Sequence, residues 1–165
     1  ESGTLFVTSE NVLEDSLNLE EKKYLPLGFH EKQKRSKLKK NDVLINIVGA
    51  SIGRVALFDQ EIENANINQA VCLFRVNDAV AAPEYIVNYL LEKTNSQRLL
   101  NNQSDTARPN LSLKNLSDYE FYLPSKNKQL EWIEGFNIVK SSMHSVKKKI
   151  RASKSLQKSL VNQVF

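Results

Sequence analysis

The chain has 165 residues, 41% of them hydrophobic, and its 23 Lys and Arg residues against 19 Asp and Glu residues give a formal net charge of +4. This composition supports a packed core and excludes a chain that is disordered throughout. The single cysteine, Cys72, excludes an internal disulfide and is typical of a reducing, cytoplasmic compartment. No apolar segment reaches the roughly 18–20 residues that a membrane-spanning helix needs, so we expect no membrane partner.

The charges are unevenly distributed along the chain. Residues 1–21 carry six acidic side chains and no basic one, whereas residues 22–40 carry eight basic side chains and one acidic one. A second basic stretch follows Glu134, after which the sequence contains no acid. Such clustering indicates a polyanionic partner or, equally, a solubilising surface. If the partner is DNA, the candidates for phosphate contacts are Lys32, Lys34, Arg35, Lys37, Lys39 and Lys40.

The N-terminal part contains one clear strand signal. Residues 5–8 form a short β-type run, whereas residues 12–23 are polar with scattered leucines and indicate an irregular connection. Residues 29–40 are basic and are predicted to be partly helical. The first strongly apolar run begins only after them.

The stretch 41–58 is the centre of the predicted core. Residues 43–48 form a near-continuous apolar, β-branched run, which is typical of a strand buried on both faces. Gly49 and Gly53 follow, and glycine lets the backbone turn sharply or lie close to a neighbour. The strand pattern resumes at residues 54–58. The stretch therefore predicts a hairpin with a glycine loop and with Arg54 just past the turn.

Further elements follow this hairpin. Pro83, with Glu84 beside it, marks a helix start, Ser112 or Asn110 is the expected cap of a later helical turn, and Pro124 ends an aromatic run. In chain order, the predicted elements are an acidic loop at 59–63, an amide-rich patch at 64–69, a strand at 70–76, helices at 83–93, 96–102 and 111–116, a polar loop at 103–110 and a last strand at 119–123.

The last 41 residues differ in character, with no proline and a single glycine. Their apolar residues alternate between spacings of three and four, which is typical of a long helix that buries a narrow stripe against another helix. Such a helix, nearly 60 Å long, exceeds the roughly 14 Å radius of gyration of a domain of about 125 residues. We expect it to project and to need a partner helix, from a longer chain or a second copy, rather than to fold back. The predicted seam consists of Phe136, Val139, Met143, Val146, Ile150, Leu160 and Val164, interrupted by Ser153 and Gln157.

Residues suited to catalysis are scarce. His30 and His144 are the only histidines, and they lie far apart in the sequence. Cys72 falls in a predicted strand, where we expect a small buried hydrophobe, so no metal-ligand spacing exists. The pattern Gly49-x-x-x-Gly53 lacks the Lys-Ser/Thr of a phosphate loop. The sequence therefore predicts no catalytic or metal site, and histidines that are either hydrogen-bonded or solvated.

A binding module is the interpretation that remains. Asn and Gln side chains pair bidentately with adenine, and Arg pairs with guanine. Such residues lie at the ends of predicted strands and in loops, where a sheet holds them in position. The candidates for base contacts are Arg54, Asn66, Asn68, Gln69, Arg75 and Arg108, each of which a solvated surface would also explain.

The motifs together form a known pattern. In order, the chain contains LFVTSENV, LKKNDVLINIVGASIGRVALF, NINQAVCLFRV, PEYIVNYLL and RPNLSLKNLSDYEFYLPSKNKQLEWI, before a basic helix that ends in KSLVNQVF. Their order and spacing resemble one target-recognition domain plus one spacer helix from the specificity subunit of a type I restriction-modification system.

Some features depart from the family pattern. The family usually has Gly-Asp where Asn41-Asp42 stand, and Glu-Gln where Lys128-Gln129 stand. A segment that usually precedes LFVTSENV is absent, and members usually carry two recognition domains and two long helices. The resemblance therefore implies a half-subunit or a fragment. Residues 1–124 would form a recognition domain that lacks its N-terminal part, and residues 125–165 a spacer or dimerisation helix.

The resemblance implies an α+β DNA-reading domain on a helical spacer, with paired spacer helices placing two domains on the halves of a split target. It implies double-stranded DNA, methyltransferase (modification) subunits that bind S-adenosylmethionine, and a restriction/translocase subunit as partners. It implies no active site and no cofactor in this chain itself. Two other interpretations stay open: the DNA-reading segment of a single-chain restriction-methylation enzyme, and a coiled-coil adaptor that dimerises and binds protein.

Overall fold

A computed structural model describes residues 3–101 and 110–164, with side chains up to residue 162. Within these ranges the chain has an α+β fold, as predicted, with two three-stranded sheets and a long C-terminal helix. The strands are β1 (Thr4–Val7), β2 (Tyr24–Leu25), β3 (Asp42–Asn46), β4 (Val55–Phe58), β5 (Ala65–Ile67) and β6 (Val71–Phe74). The helices are α1 (Leu27–Lys32), α2 (Pro83–Leu91), α3 (Lys93–Leu100), α4 (Leu113–Ser117) and α5 (Lys126–Val164).

The sheet β4–β3–β6 contains the predicted hairpin. β3 pairs antiparallel with β4 on one side and with β6 on the other, so that Ile45 lies opposite Val55 and Cys72. Every residue of β3 is buried, which confirms the strand predicted to be covered on both faces. Because side chains alternate along a strand, Val43 and Ile45 face one hydrophobic cluster and Leu44 faces another.

Two hydrophobic cores therefore lie on opposite faces of this sheet. In the first core, Val43 and Ile45 pack with Tyr85, Ile86 and Leu90 of α2. In the second core, the other face of the sheet packs against β1 and the segment that follows it. The sheet is the middle layer between the helices and the second sheet.

The second sheet, β2–β1–β5, was only partly predicted from the sequence. β1 pairs antiparallel with β2 and in parallel with β5, and Phe6 lies opposite Asn66. β2 follows directly after the predicted irregular connection at 12–23, and β5 falls in the amide-rich patch. Neither strand has an alternating apolar pattern that would predict it. Both strands are instead held by their pairing with β1.

The short helices agree with the prediction to within a few residues. α3 begins at Lys93, earlier than the predicted residue 96, because the carboxylate of Glu92 accepts hydrogen bonds from the backbone N–H groups of Thr94 (3.0 Å) and Asn95 (2.9 Å). These bonds also lower the pKa of Glu92. A carboxylate in this position caps the helix and satisfies its first N–H groups.

The helical turn α4 has the cap that the sequence offered. The hydroxyl of Ser112 accepts a hydrogen bond from the backbone N–H of Asn115 at 3.0 Å, within a reciprocal capping box. The basic segment 29–40 is helical only in part, in α1 and in a 3-10 turn at Lys34–Ser36. The predicted polar loop 103–110 lies outside the described residues except for Asn110.

The last strand predicted, at residues 119–123, is wrong. The segment has no regular secondary structure and pairs with no strand in the part of the chain that the structure describes. Side chains satisfy its backbone instead, because the Tyr85 hydroxyl donates to the carbonyl of Tyr122 (2.7 Å) and the Tyr122 N–H donates to the Tyr89 hydroxyl (3.3 Å). Phe121 stacks on Phe74 with ring centroids 5.7 Å apart. The alternating aromatic residues reflect packing onto β6 and α2, not a strand ladder.

α5 is one continuous helix, as predicted. Its 39 residues span about 58 Å. Only its first turns contact the domain: the ring centroid of Trp132 lies 5.9 Å from that of Tyr85, and Lys140 Nζ lies 2.8 Å from a carboxylate oxygen of Asp15. Every described side chain from residue 134 to residue 162 is exposed. The helix therefore projects from the domain. Separately, no helix among the described residues is long and apolar enough to span a membrane.

The predicted seam lies along this projecting helix. Its six members with described side chains are exposed by 43–56%, as expected for the apolar stripe of a helix with no neighbour on that side. These members are Phe136, Val139, Met143, Val146, Ile150 and Leu160; the side chain of Val164 lies outside the described side chains.

A buried amide joins the long helix to the domain. The Gln129 side chain is fully buried, and its Oε1 accepts a hydrogen bond from the backbone N–H of Ala82 at 2.8 Å. Its Nε2 donates to the carbonyls of Pro124 (2.8 Å) and Val80 (3.1 Å). Ala82 is the residue just before α2, and its methyl side chain cannot accept a hydrogen bond from the start of that helix. Gln129 therefore caps α2 from the first turn of α5 and links the two helices.

We expect Gln129→Ala to lower the free energy of unfolding by about 2–3 kcal/mol, because it leaves buried backbone groups without partners. Urea denaturation followed by circular dichroism measures this loss. Asn127→Ala, at an exposed position two residues earlier, is the control and should change the stability by no more than about 0.5 kcal/mol. Equal stability of the two variants would contradict the role of Gln129.

Candidate nucleic-acid interface

Several chain segments meet at one end of the sheet β4–β3–β6. The backbone N–H of Asn46 bonds to the carbonyl of Arg54 (2.9 Å), and the N–H of Ile47 bonds to the carbonyl of Ala70 (3.0 Å). Arg54 and Ala70 therefore flank the same end of β3 from opposite sides. The N–H of Asn68 bonds to the carbonyl of Val7, the last residue of β1, at 3.0 Å, so the end of β1 lies near the same end of the sheet. We call residues 8–12, 47–54 and 68–70 the loop end of the sheet.

Arg54 is presented at the loop end by a constrained turn. Gly49 and Gly53 have φ angles of +78° and +83°, which side chains other than glycine rarely adopt. A Cβ at Gly53 would also lie 2.8 Å from Cδ2 of Leu100, so the Leu100 side chain would have to shift to admit a larger residue. The exposed side chain of Arg54 follows immediately, on the first residue before β4. The guanidinium therefore projects from a backbone that has little freedom.

The side chain of Asn46 joins two segments of the loop end by hydrogen bonds. Its Nδ2 donates to the carbonyls of Ser9 (2.9 Å) and Val12 (3.3 Å) and to the hydroxyl of Ser51 (3.0 Å). The side chain is fully buried. The sequence pattern did not predict this role, although a single amide inside an apolar strand was a signal for it, since a buried amide needs hydrogen-bond partners.

Two of the predicted base-contact residues lie on the neighbouring turn of the loop end. The side chain of Gln69 is exposed, and that of Asn68 is half-buried. The Oδ1 of Asn68 accepts a hydrogen bond from the backbone N–H of Ala70 at 3.1 Å, which holds the turn between β5 and β6. The structure thus brings Arg54, Asn68 and Gln69 to one end of one sheet.

Asn66 belongs to a different environment. It is fully buried in β5, and its Oδ1 lies 2.6 Å from Nδ1 of His30. Its Nδ2 donates to the carbonyl of Gln33 (3.1 Å) and to the hydroxyl of Ser36 (2.7 Å). The interpretation of Asn66 as a base-contact residue does not fit this burial, because its hydrogen-bonding groups hold the basic segment against the sheet. The same contact makes His30 a buried, hydrogen-bonded histidine, one of the two states predicted.

Arg75 lies at the opposite end of β3 from Arg54. Its Nε and Nη2 donate to the two carboxylate oxygens of Asp42 at 2.7 and 2.6 Å, and Nη2 also donates to the carbonyl of Lys37. Asp42 is only 1% exposed, so it depends on this guanidinium. The hydrogen bonds to Asp42 raise the pKa of Arg75. We therefore reassign Arg75 from base contact to a structural ion pair.

The basic segment runs along the outer side of β5. The N–H of Leu38 bonds to the carbonyl of Ala65 at 2.8 Å, and Asn66 binds residues 33 and 36. Lys34 and Arg35, which are both exposed, therefore lie next to β5 near the loop end. Exposed Lys32 precedes them on α1.

The rest of the basic segment turns away from the loop end. The N–H of Lys39 bonds to Asp42 at 2.7 Å, at the far end of β3 and roughly 15 Å from the loop end. Lys37 pairs with Glu31 and Lys40 with Glu61, and these lysines lower the pKa of each glutamate. Ion pairs this exposed contribute little to stability. The segment's bases thus fall into a group near the loop end and a group beside Asp42.

Arg108 lies within residues 102–109, outside the described residues. Cys72 is partly buried in β6, and burial raises the pKa of its thiol, as expected for a packing residue. His144 is exposed on α5. Within residues 3–101 and 110–164, no group of three or more His, Cys, Asp or Glu side chains could hold a metal ion.

The sequence of this chain is similar to a known family of DNA-specificity domains. The family model described as "Type I restriction modification DNA specificity domain" matches residues 7–153. The chain belongs to this family. Among curated proteins, the specificity domain is 32% identical over 117 residues to the type I restriction enzyme EcoBI specificity subunit of Escherichia coli. That match covers 71% of the chain and 24% of the relative, so the chain spans about a quarter of that protein's length.

A solved structure shares the fold of the specificity domain. The HsdS subunit from Thermoanaerobacter tengcongensis matches 90% of the chain and 38% of its own length, with a TM-score of 0.70 and 13% identity. At this identity the likeness concerns the fold alone.

We expect Arg75→Ala to lower the free energy of unfolding by about 2–3 kcal/mol, because it leaves the buried carboxylate of Asp42 without its cation. Arg54→Ala is the matched control: it removes the same side chain from an exposed position and should change the stability by no more than about 0.5 kcal/mol. Thermal and urea denaturation of the two variants measure the difference. A loss of DNA affinity by folded Arg75→Ala, without a loss of stability, would restore Arg75 as a DNA contact.

Proposed function

We propose that this specificity domain reads one half of a split sequence in double-stranded DNA, with Arg54, Asn68 and Gln69 at the base edges. The observation that carries the proposal is their position together at the loop end, where Arg54 follows a turn with two glycines at positive φ and the buried amide of Asn46 holds Ser51 of that turn. Side chains that distinguish base pairs must be held in a defined place, and a sheet end provides this. Arg108 stays a prediction as a fourth contact.

Lys34 and Arg35 are the favoured phosphate contacts in this proposal. Both side chains are exposed. Asn66 binds Gln33 and Ser36, the residues on either side of this pair, so the pair lies beside β5 at a position two residues before Asn68. Phosphate contacts position a protein on the duplex, whereas base contacts specify the sequence. Lys32 adjoins this group. Lys37, Lys39 and Lys40 lie farther along the same segment and would contact phosphates farther along the DNA backbone.

The division at residue 124 assigns separate tasks to the two parts of the chain. Residues 1–124 form the recognition domain, and residues 125–165 form a spacer helix that pairs with another helix and sets the distance between half-sites. Methyltransferase subunits that carry S-adenosylmethionine dock on the assembly, and a restriction/translocase subunit joins for cleavage. The chain itself binds no cofactor and performs no catalysis in this proposal.

Binding of the chain to duplex DNA should depend strongly on salt, because each lysine or arginine that meets a phosphate releases counterions. With two to four such contacts, we expect the affinity to fall about 10- to 100-fold between about 50 and 200 mM salt. Fluorescence anisotropy with a labelled duplex measures this change. Binding that does not respond to salt would contradict the phosphate assignment.

Arg54→Ala should weaken binding to the target by about 1–3 kcal/mol and leave binding to unrelated duplex nearly unchanged, because a base contact is lost. Arg35→Ala is the matched control, since the loss of a phosphate contact weakens both kinds of binding alike. Sequencing of methylated sites in host cells, with and without the gene, identifies the target for these assays. An equal loss on target and unrelated DNA would assign Arg54 to the phosphate backbone.

A further inference from the structure

Most of the bases on the free part of α5 lie in one row along the helix. The sequence after Glu134 contains seven bases and no acid. Five of the seven recur three, four or seven residues apart, which places them within about 60° of the helix circumference. We call these five residues the basic row: Lys140, Lys147, Arg151, Lys154 and Lys158. All five are exposed, and the last four bind no carboxylate among the described residues.

The charge of this helix is concentrated on one side. The side that faces away from both the basic row and the apolar seam carries small uncharged residues, among them Ser141, Ser145 and Ser159. Only Lys148 and Lys149 lie outside the row. Charge that served solubility alone would be expected on the serine side as well, because that side is exposed to solvent. The row therefore indicates a polyanionic partner along one side of the helix.

The first member of the basic row lies beside the loop end. Lys140 Nζ lies 2.8 Å from a carboxylate oxygen of Asp15, and the backbone N–H of Asp15 bonds to the carbonyl of Val55 at 2.9 Å. Val55 directly follows Arg54 in the chain. Every described side chain from residue 141 to residue 162 is exposed, so α5 leaves the domain at this point. The other four members of the row therefore continue outward from the place where the proposed base contacts lie.

The basic row borders the apolar seam without coinciding with it. At about 100° per residue, the centre of the row lies about 80° round the helix from the centre of the seam. Arg151 and Lys158 lie on the side of the row away from the seam, so a helix on the seam leaves them open to a duplex.

We propose that the basic row binds the phosphate backbone of the same DNA duplex, beyond the half-site that the domain reads. This inference rests on the proposed function and adds a second contact surface to it. From Lys147 to Lys158 the row spans about 16 Å, the length of about five base pairs. Contacts of lysine and arginine with phosphates carry no sequence information. The row is therefore suited to a stretch of duplex whose sequence is not read, such as the spacer of a split target.

Three duplexes test this proposal with the 165-residue chain. All carry the half-site found by sequencing of methylated sites; one ends next to it, and the other two extend it on one side or the other. An extension of about 10 base pairs covers the row, whose last member lies about 27 Å beyond Lys140 along the helix. We expect extension on one side to tighten binding about tenfold at about 100 mM salt, and extension on the other side to change it no more than about twofold. Fluorescence anisotropy over a series of salt concentrations measures each affinity.

Lys147→Gln combined with Lys154→Gln removes two members of the row. On the preferred extended duplex, this variant should reduce the slope of log affinity against log salt by about 2, because two phosphate contacts are lost. On the short duplex it should bind like the unmodified chain. Lys148→Gln combined with Lys149→Gln is the matched control, since it removes the same charge from the same helix outside the row, and it should keep the preference for the extended duplex.

The outcomes separate this proposal from the reading of the half-site. Equal binding of the two extended duplexes, or an equal loss in the two variants, overturns the basic row as a DNA contact. If the short duplex is then still bound in preference to an unrelated one, the reading of the half-site stands. If no duplex is bound, both proposals are wrong.

Discussion

Burial of β3 on both faces is the constraint on which the rest of this domain depends. A strand of five buried residues needs apolar cover on each side, so α2 packs on one face and the sheet around β1 on the other. Polar groups then meet this strand at its two ends. One end carries the ion pair of Asp42 with Arg75, and the other carries the turn that presents Arg54.

Amide side chains serve two separate purposes in this arrangement. Asn46 and Asn66 are fully buried, and their nitrogens tie neighbouring segments to the sheet. Asn68 and Gln69 lie at the loop end with partly or fully exposed side chains. The buried amides hold in place the backbone from which the exposed groups project. Substitution of a buried amide would therefore disturb the loop end, although the amide itself is not exposed there.

Gln129, Trp132 and Lys140 all hold the long helix to the domain, and this determines where the loop end lies relative to the helix. Gln129 links the first turn of α5 to the start of α2, and Lys140 binds Asp15, whose own N–H bonds to the carbonyl of Val55 in β4. One connection thus goes to the helical layer and the other reaches the sheet. A helix attached at one point could change its direction freely, whereas attachments separated along the helix restrain it.

Local patterns in the sequence determined the elements whose cause is local. The apolar run of β3, the glycine turn after it and the 3-4 periodicity of α5 each depend on neighbouring residues, and the structure bears out all three. Tertiary structure alone decided the roles of Asn66, Arg75 and residues 119–123. Asn66 meets Gln33, Arg75 meets Asp42 and Tyr122 meets Tyr85, each across more than thirty positions of the chain. Residue type shows that an amide or a guanidinium needs a partner, but only the folded chain brings that partner to it, and so decides whether the group is left for DNA.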